Sequence, residues 1–367
     1  MTKECRSTND QACANGQPGP RIRFVIGFLV ILWSLVIGEL GIGESGIPAE
    51  PKELLPVDQA VGRAVEYLQR SQGPEGYWRS GAGRNPAITG LAVMAFLSAG
   101  HVPGEGPYGE TVERGIRWVL AVQQDNGLIA VDANQEMYHH GICTLMLAEV
   151  AGMTNSQLGA EIRRKLEKAV AVILRAQRTT KGHAGGWRYQ ARGRDSDISV
   201  TGWQVMALRA VKDLGCDVPL RPIEQAIDYI NQCRDPRSGG YFYQPGIGLS
   251  PACTGTSVLA LEICGKEQHG RAELLKAGSF MLQHPPWKAR HPFYGIYYCT
   301  QAMYQLGDNY WNVYRPQLVD ALLRMQRTNG SWDGENIGPD YGTAMAVLAL
   351  TVDYGFLPIY QRGEDAP

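Results

Sequence analysis

One string restricts the fold more than any other: Arg63-Ala64-x-x-Tyr67-Leu68-x-x-x-Gln72-x-x-x-Gly76-x-Trp78, which returns down the chain. It reads as the end of an amphipathic helix followed by a tight turn that presents an indole. Arg114-Gly115, Trp118-Val119, Gln123 and Gly127 repeat it, with Ile129 in place of the Trp. Lys168-Ala169, Ile173, Gln177 and Gly186-Trp187 repeat it with a longer loop. Ala226, Tyr229-Ile230 and Gly240-Tyr241-Phe242 form a fourth copy, and Lys276-Ala277, Phe280-Met281 and Trp287 a looser fifth. Gln326, Gly330 and Trp332 close the series with the Gln-to-Trp spacing of the first.

An apolar run follows each copy and opens on a residue-Gly pair: Thr89-Gly90, His140-Gly141, Thr201-Gly202, Thr254-Gly255, Tyr294-Gly295 and Tyr341-Gly342. From Gly90 to Gly342 is 252 residues over five steps, a period of about 50 that suits a repeat architecture. Two independent markers thus agree on six repeats.

Within a repeat the two helices differ in kind. In the first copy Ala60, Ala64, Tyr67, Leu68 and Ser71 share one face, while Arg63, Glu66, Gln69 and Arg70 supply another. The second helix, as in Leu91–Leu97 or Val258–Leu261, is apolar all round and must be covered on most sides. Six amphipathic helices alternating with six buried ones predict two concentric rings around a central cavity. A linear solenoid would need polar capping repeats; here the first and last copies match the motif best, which favours closure.

Composition fits that reading. Gly is 44 of 367 residues, about 12% against a usual ~7%, as many tight turns require. A formal net charge of −1 with 44% hydrophobic residues gives no sign of a nucleic-acid surface. The eight cysteines include no Cys-x-x-Cys, so neither a zinc knuckle nor a thioredoxin-like motif is present, and no metal or cofactor is expected. Cys143, Cys253 and Cys299 lie in apolar runs as small buried hydrophobes; disulfides would need an exported chain.

Residues 1–20 read as a polar disordered tail. Residues 21–42 carry Arg21 and Arg23 before an uncharged apolar core, Phe24 to Ile37, the layout of a transmembrane anchor or a signal peptide. No Ala-x-Ala follows, which favours an uncleaved anchor. Either way the basic flank places the remainder on the extracytoplasmic side, periplasmic, or secreted if the segment is cleaved. Residues 43–56 form a linker, 57–360 the repeats and 361–367 a tail.

The repeated string resembles the QW motif of squalene and oxidosqualene cyclases, whose superfamily includes the protein prenyltransferase β subunits. The resemblance covers roughly residues 57–355, with one full copy. It implies an all-α (α/α)6 toroid and a structural role for Gln72, Trp78, Gln326 and Trp332. It also implies an isoprenoid or other lipid ligand in the central cavity.

Class II terpene cyclases protonate an alkene or epoxide with an Asp-x-Asp-Asp run before a buried helix. The counterpart here is Asp195-Ser196-Asp197-Ile198-Ser199, in which Ile198 replaces the last Asp and breaks the motif. Asp197, with Asp195, is the acid the resemblance offers; the residues themselves also read as a helix cap. Capping would hold the Asp197 pKa down, protonation chemistry would need it raised. The aromatics Trp203, Tyr294, Tyr297, Tyr298 and Tyr341 would line the cavity and steady cations, with His140, Thr201, Thr254 and Asp340 at its rim. The Asp-x-Cys and His of a zinc prenyltransferase are missing, Gly295 standing at the His position. Cys264-Gly265-Lys266-Glu267-Gln268 is one residue too long for a thioester motif. His139, His140 and His291 come from different repeats. Two functions stay open: a cyclase with a degenerate acid motif, or a binding module that keeps the toroid without its chemistry. A rim hydrolase or lyase lacks a recognisable carboxylate pair.

Overall fold

The computed structural model describes residues 55–264 and 269–361. The apolar stretch 24–37 and all of the linker but its last two residues lie outside them, so the expected anchor or signal segment is not addressed; Pro56, assigned to the linker, already opens the first helix. Among the described residues no helix is long and apolar enough to cross a membrane.

Twelve α-helices are present among the described residues. The outer set is α1 (Pro56–Ser71), α3 (Gly109–Val122), α5 (Ser156–Ala176), α7 (Leu220–Gln232), α9 (Ala272–Gln283) and α11 (Asp308–Met325). The inner set is α2 (Pro86–Ser98), α4 (Glu136–Val150), α6 (Ile198–Asp213), α8 (Pro251–Cys264), α10 (Pro292–Gln305) and α12 (Pro339–Leu350). Each inner helix packs on the next, and α12 packs back on α2. The ring is therefore closed. Outer helices lie mainly on the inner helix of the preceding repeat, α3 on α2 and α1 on α12, so the repeats interlock. Two short hairpins, Arg79–Ser80 with Gly83–Arg84 and Tyr241–Gln244 with Ile247–Ser250, stand in turns that lead to inner helices.

The repeated glutamine performs one task four times. Gln72 Nε2 donates to the Gly76 carbonyl of its own turn (3.0 Å) and to Thr111 of the next outer helix (2.8 Å). Gln123 does the same with Gly127 and Lys165, and Gln177 with Gly185 and Pro222. Gln326 reaches Gly330 and then Ala60 of α1 (2.8 Å), which joins the last repeat to the first. Gly330, at φ 91°, has no room for a side chain against the Arg63 carbonyl. The indoles of Trp78, Trp187 and Trp332 are buried and donate to the carbonyls of Leu68, Ile173 and Leu322. Gln72, Trp78, Gln326 and Trp332 are structural residues.

All six glycines of the residue-Gly pairs lie on inner helices, for two different reasons. Gly90, Gly141, Gly202 and Gly255 face the next inner helix: a methyl group there would press on Ile142, Gln204, Thr256 and the Cys299 backbone. Gly295 instead abuts Pro286, and Gly342 abuts its own turn at Gly334. In the sixth repeat the residue equivalent to Thr89 is Thr343, one place after the glycine, since Trp332 N–H donates to Thr343 Oγ1 as Trp78 N–H does to Thr89 Oγ1. The six described cysteines are free thiols.

The expected central cavity is occupied by side chains where the candidate aromatics lie. Trp203 of α6 stacks on Tyr297 of α10 with centroids 5.3 Å apart and planes at 13°. These two helices are not neighbours in the ring, so the stack spans the lumen. Tyr298 packs edge-on against both rings, and all three residues are fully buried. The C-terminal strap closes the mouth at the C-terminal ends of the inner helices. The Tyr360 and Tyr297 hydroxyls are hydrogen-bonded, Gln305 Nε2 donates to the Tyr360 carbonyl (2.8 Å), and Ile359 N–H donates to Glu149 Oε2 (3.3 Å).

Two outcomes are expected from this packing. Gly255→Ala should cost about 3 kcal/mol through overpacking against backbone. Gly62→Ala, with nothing within 4 Å of the added methyl, should gain roughly 0.5–1 kcal/mol in helix propensity; denaturant titration reads both. Burial pushes the Glu149 carboxyl up to about 8, and Asp213 adds to the rise. Between its ordinary 4.5 and about 8 the folded chain holds a proton that the unfolded chain has lost, so stability falls as pH rises through that window. Thermal melts should show this slope, and Glu149→Gln should flatten it.

Candidate functional site

Every turn that leads from an outer to an inner helix lies at one rim, around the N-termini of the inner helices. In the third repeat this turn is longest. Arg178 holds it in shape, its guanidinium donating to the carbonyls of Ala176, Gln190, Ala191 and Asp195. The loop then pairs Trp187 with Asp197 through a backbone bridge and enters α6.

Asp197 is fully buried at the N-cap of α6. Its Oδ1 accepts from Val200 N–H (2.9 Å) and from Ser199 Oγ (2.6 Å), which in turn accepts from the Tyr138 hydroxyl (2.6 Å). Oδ2 accepts no hydrogen bond and faces Arg188 Nε at 3.5 Å. The expectation that a capping role would hold this acid down fails. Burial raises the Asp197 pKa despite the opposing pull of Ser199, the Val200 N–H, Tyr243 and Arg188. One oxygen caps the helix, and the loss of water around the whole group outweighs the bonds it makes.

Arg188 organises the rest. Its guanidinium hydrogen-bonds Asp195, forms an ion pair with Asp197, and lies over the rings of Tyr189 (5.3 Å) and Tyr243 (5.8 Å). Tyr189 stacks on Tyr138 at 5.7 Å, and its hydroxyl meets that of Tyr243 at 2.5 Å. Tyr294 closes the group from α10, donating to the Ser199 carbonyl (3.3 Å). Four half-buried tyrosines, one arginine and two carboxylates thus cluster at this rim, a cluster termed the mouth below. Asp195 and Asp197, the two acids that the sequence singles out, share one guanidinium.

Other candidates take structural posts. His140, Thr201 and Thr254 do not face a cavity. His140 Nδ1 accepts from Ile129 N–H (3.1 Å), its Nε2 meets the Ala169 carbonyl (3.0 Å), and burial lowers its pKa to about 4. Thr201 and Thr254 accept from the backbone N–H of Trp187 and Tyr241. These residues anchor each turn to its inner helix. Asp340 accepts from the Tyr67 hydroxyl and Arg79 N–H (both 3.2 Å), which fastens the last repeat to the first. Tyr341 is buried beside it in sequence. Trp203, Tyr297 and Tyr298 belong to the core. Of the candidates only Asp195, Asp197 and Tyr294 reach the mouth. His291 lies against Glu335 (3.2 Å), and among the described residues no three His, Cys, Asp or Glu side chains converge as a metal site.

Tyr138, Tyr189, Tyr243 and Arg188 are not among the residues that the sequence singles out; Ser199 is, at the start of the inner helix, and here it links Tyr138 to Asp197. Arg188 follows the motif Trp187 directly, and Tyr243 stands two places after Tyr241, the fourth repeat's counterpart of that Trp.

No family model matches this chain, and no curated protein matches it. Solved structures do. A type II terpene cyclase, MstE from Scytonema, aligns over 82% of this chain and 99% of its own at 15% identity, with a TM-score of 0.55. An inactive variant of the α-1,6-mannanase GH76A of Salegentibacter sp. HEL1_6, altered at two adjacent aspartates and bound to α-1,6-mannotetrose, covers 80% and 98% at 11% identity, with a TM-score of 0.63. A family 76 glycoside hydrolase from a bovine Bacteroides thetaiotaomicron strain covers 81% and 77% at 11%, with a TM-score of 0.59. At these identities the likeness is one of fold.

Proposed function

We propose that this toroid is a ligand-binding domain whose site is the tyrosine-lined mouth around Asp197, and that it does not fold and cyclise an isoprenoid inside its lumen. The Trp203–Tyr297 stack carries this reading: the two rings meet across the barrel at full burial, where a polyene would need room.

Electrostatics at the mouth point the same way. The uncapped oxygen of Asp197 is the one from which a proton would be given, and a guanidinium stands 3.5 Å from it. A guanidinium there favours the ionised carboxylate and so makes this acid a poorer proton donor. The Scytonema cyclase has been described with geranylgeranyl dihydroxybenzoate bound, so an isoprenoid-bearing ligand is the first class for this mouth, seated on tyrosine faces. The apolar stretch 24–37 extends the proposal: it tethers the toroid or directs its export.

A second reading rests on one observation, the shared guanidinium of Asp195 and Asp197. A pair of carboxylates flanking a sugar can cleave a glycosidic bond, and the mannanase neighbour loses activity when two adjacent aspartates are replaced.

Calorimetry with geranylgeranyl dihydroxybenzoate should detect binding, weakened about tenfold by Tyr189→Ala, the loss of roughly 1.4 kcal/mol of ring contact. Mass spectrometry should find neither a cyclised product nor cleavage of α-1,6-mannotetrose. Asp197→Asn should leave the fold intact, since the amide oxygen can still accept from Val200 N–H. A product that disappears in this variant would establish an enzyme in place of the binding domain.

A further inference from the structure

We propose that the rim bearing the mouth docks on an anionic lipid surface through the hairpin of Tyr241–Gln244 with Ile247–Ser250 and the loop over residues 179–197. This goes beyond the ligand reading and stands without it.

The first observation is apolar surface in an unusual place. The hairpin turns at Pro245-Gly246, and Ile247 beyond the turn is 65% exposed and Leu249 39% exposed. Ile337 and Val131, in rim turns of the sixth and second repeats, are exposed as well. The hairpin is nevertheless anchored: Gln244 Nε2 donates to the Ser196 carbonyl (2.7 Å), and Tyr243 meets Tyr189. Its tip is a fixed apolar projection, held against the loop that carries Arg188.

The second observation is charge. Lys181, Arg192 and Arg194 of that loop are exposed, and none has an ion pair or side-chain hydrogen bond among the described residues. Lys288 and Arg290, in the fifth repeat's rim turn, are also exposed and without an acid partner. The two mouth carboxylates are already turned toward Arg188; Asp125 and Asp132, on the second-repeat side, are the exposed acids that oppose this patch. Elsewhere on the outer surface arginines are commonly matched, as Arg117 is by Glu113, Arg209 by Asp213 and Arg324 by Asp320.

An apolar projection beside unmatched cations is what an interfacial contact with anionic lipid uses. Buried apolar area supplies one share of the affinity and charge the other, so that neither alone suffices. A soluble polyanion would satisfy the cations but would leave Ile247 and Leu249 in water, and on that ground lipid is favoured. Docked this way, the mouth would open toward the bilayer.

The test reads the tip itself, because the full chain also contains the apolar stretch 24–37, which can associate with lipid independently. Ile247→Trp is introduced in the full chain and mixed with phosphatidylcholine vesicles, with and without phosphatidylglycerol. The added indole should shift to shorter wavelength and be quenched by brominated lipid in the anionic vesicles. Replacing Lys181, Arg192 and Arg194 by Gln should weaken that signal roughly a hundredfold in lipid concentration, at about fivefold for each charge. Leu249→Trp repeats the measurement should the first variant lose its helical circular dichroism. Absence of any shift, an equal shift in neutral vesicles, or indifference to the Gln substitutions would overturn the proposal. So would tight, charge-dependent binding of heparin with no burial of the tip in lipid, which would assign the patch to a polyanion.

Discussion

The structure depends on a single amide used repeatedly. In four turns the glutamine Nε2 supplies two hydrogen bonds, one to its own turn and one to a carbonyl of the following outer helix. A turn between antiparallel helices leaves backbone carbonyls without partners. One primary amide with two hydrogens satisfies such a carbonyl in its own turn and reaches a second one within the following outer helix, which fixes the offset between repeats. When the last such residue, Gln326, finds Ala60, the offset has accumulated to a full circle. Closure is thus a property of a local contact repeated, reinforced by Asp340 on Tyr67 and Arg79. The fourth and fifth repeats lack the glutamine. There the ring is carried by close approach of inner helices, with Gly255 against the Cys299 backbone.

The inner helices set what the ring can hold. Their apolar character on all sides buries a helix against both neighbours and the outer ring, and what remains faces the axis. Small residues on that axis would leave a cavity; Trp203, Tyr297 and Tyr298 fill it instead. The tyrosine hydroxyls show the cost. Tyr297 is matched by Tyr360 from the strap, while the Tyr298 hydroxyl has no partner among the described residues. A buried hydroxyl without a bond costs about 1–3 kcal/mol, a burden that the large aromatic contact area around it offsets. The strap is then part of the lumen's packing as much as a lid on it.

The ring was legible in the sequence because each repeat states it again. Gln72, Trp78 and Gly76 could be misjudged singly, but their return at a steady period could not. The site was less legible, and particular residues show why. Thr201 and Thr254 precede the inner-helix glycines, which marks them as rim residues; that their hydroxyls turn toward the backbone of Trp187 and Tyr241 depends on how the turn folds back. Trp203 and Tyr297 were read as cavity walls because nothing in a linear chain reveals that residues 94 apart meet face to face across a barrel. Arg188, Tyr189 and Tyr243 sit in turns, where no periodicity marks the side that faces the mouth.

Asp197 shows why an acid at the start of an inner helix is by itself a poor guide to chemistry. At the N-terminus of an inner helix a carboxylate is welcome for reasons unrelated to catalysis, since free N–H groups and the helix dipole both favour it. Asn85 caps α2 through Ile88 N–H, and Glu136 and Asp340 lie in the first turns of α4 and α12. Carboxylates and amides at this rim therefore follow from the parallel setting of six inner helices. What distinguishes Asp197 from these is the fate of its second oxygen, which is dry, without a hydrogen bond, and turned toward Arg188. A dry carboxyl alone would be a proton donor. Beside a permanent cation it is half of an ion pair, whose other half already lies on two tyrosine rings. Replacing the cation while leaving every helix in place would change the electrostatics around Asp197, because its second oxygen accepts no hydrogen bond and faces that guanidinium.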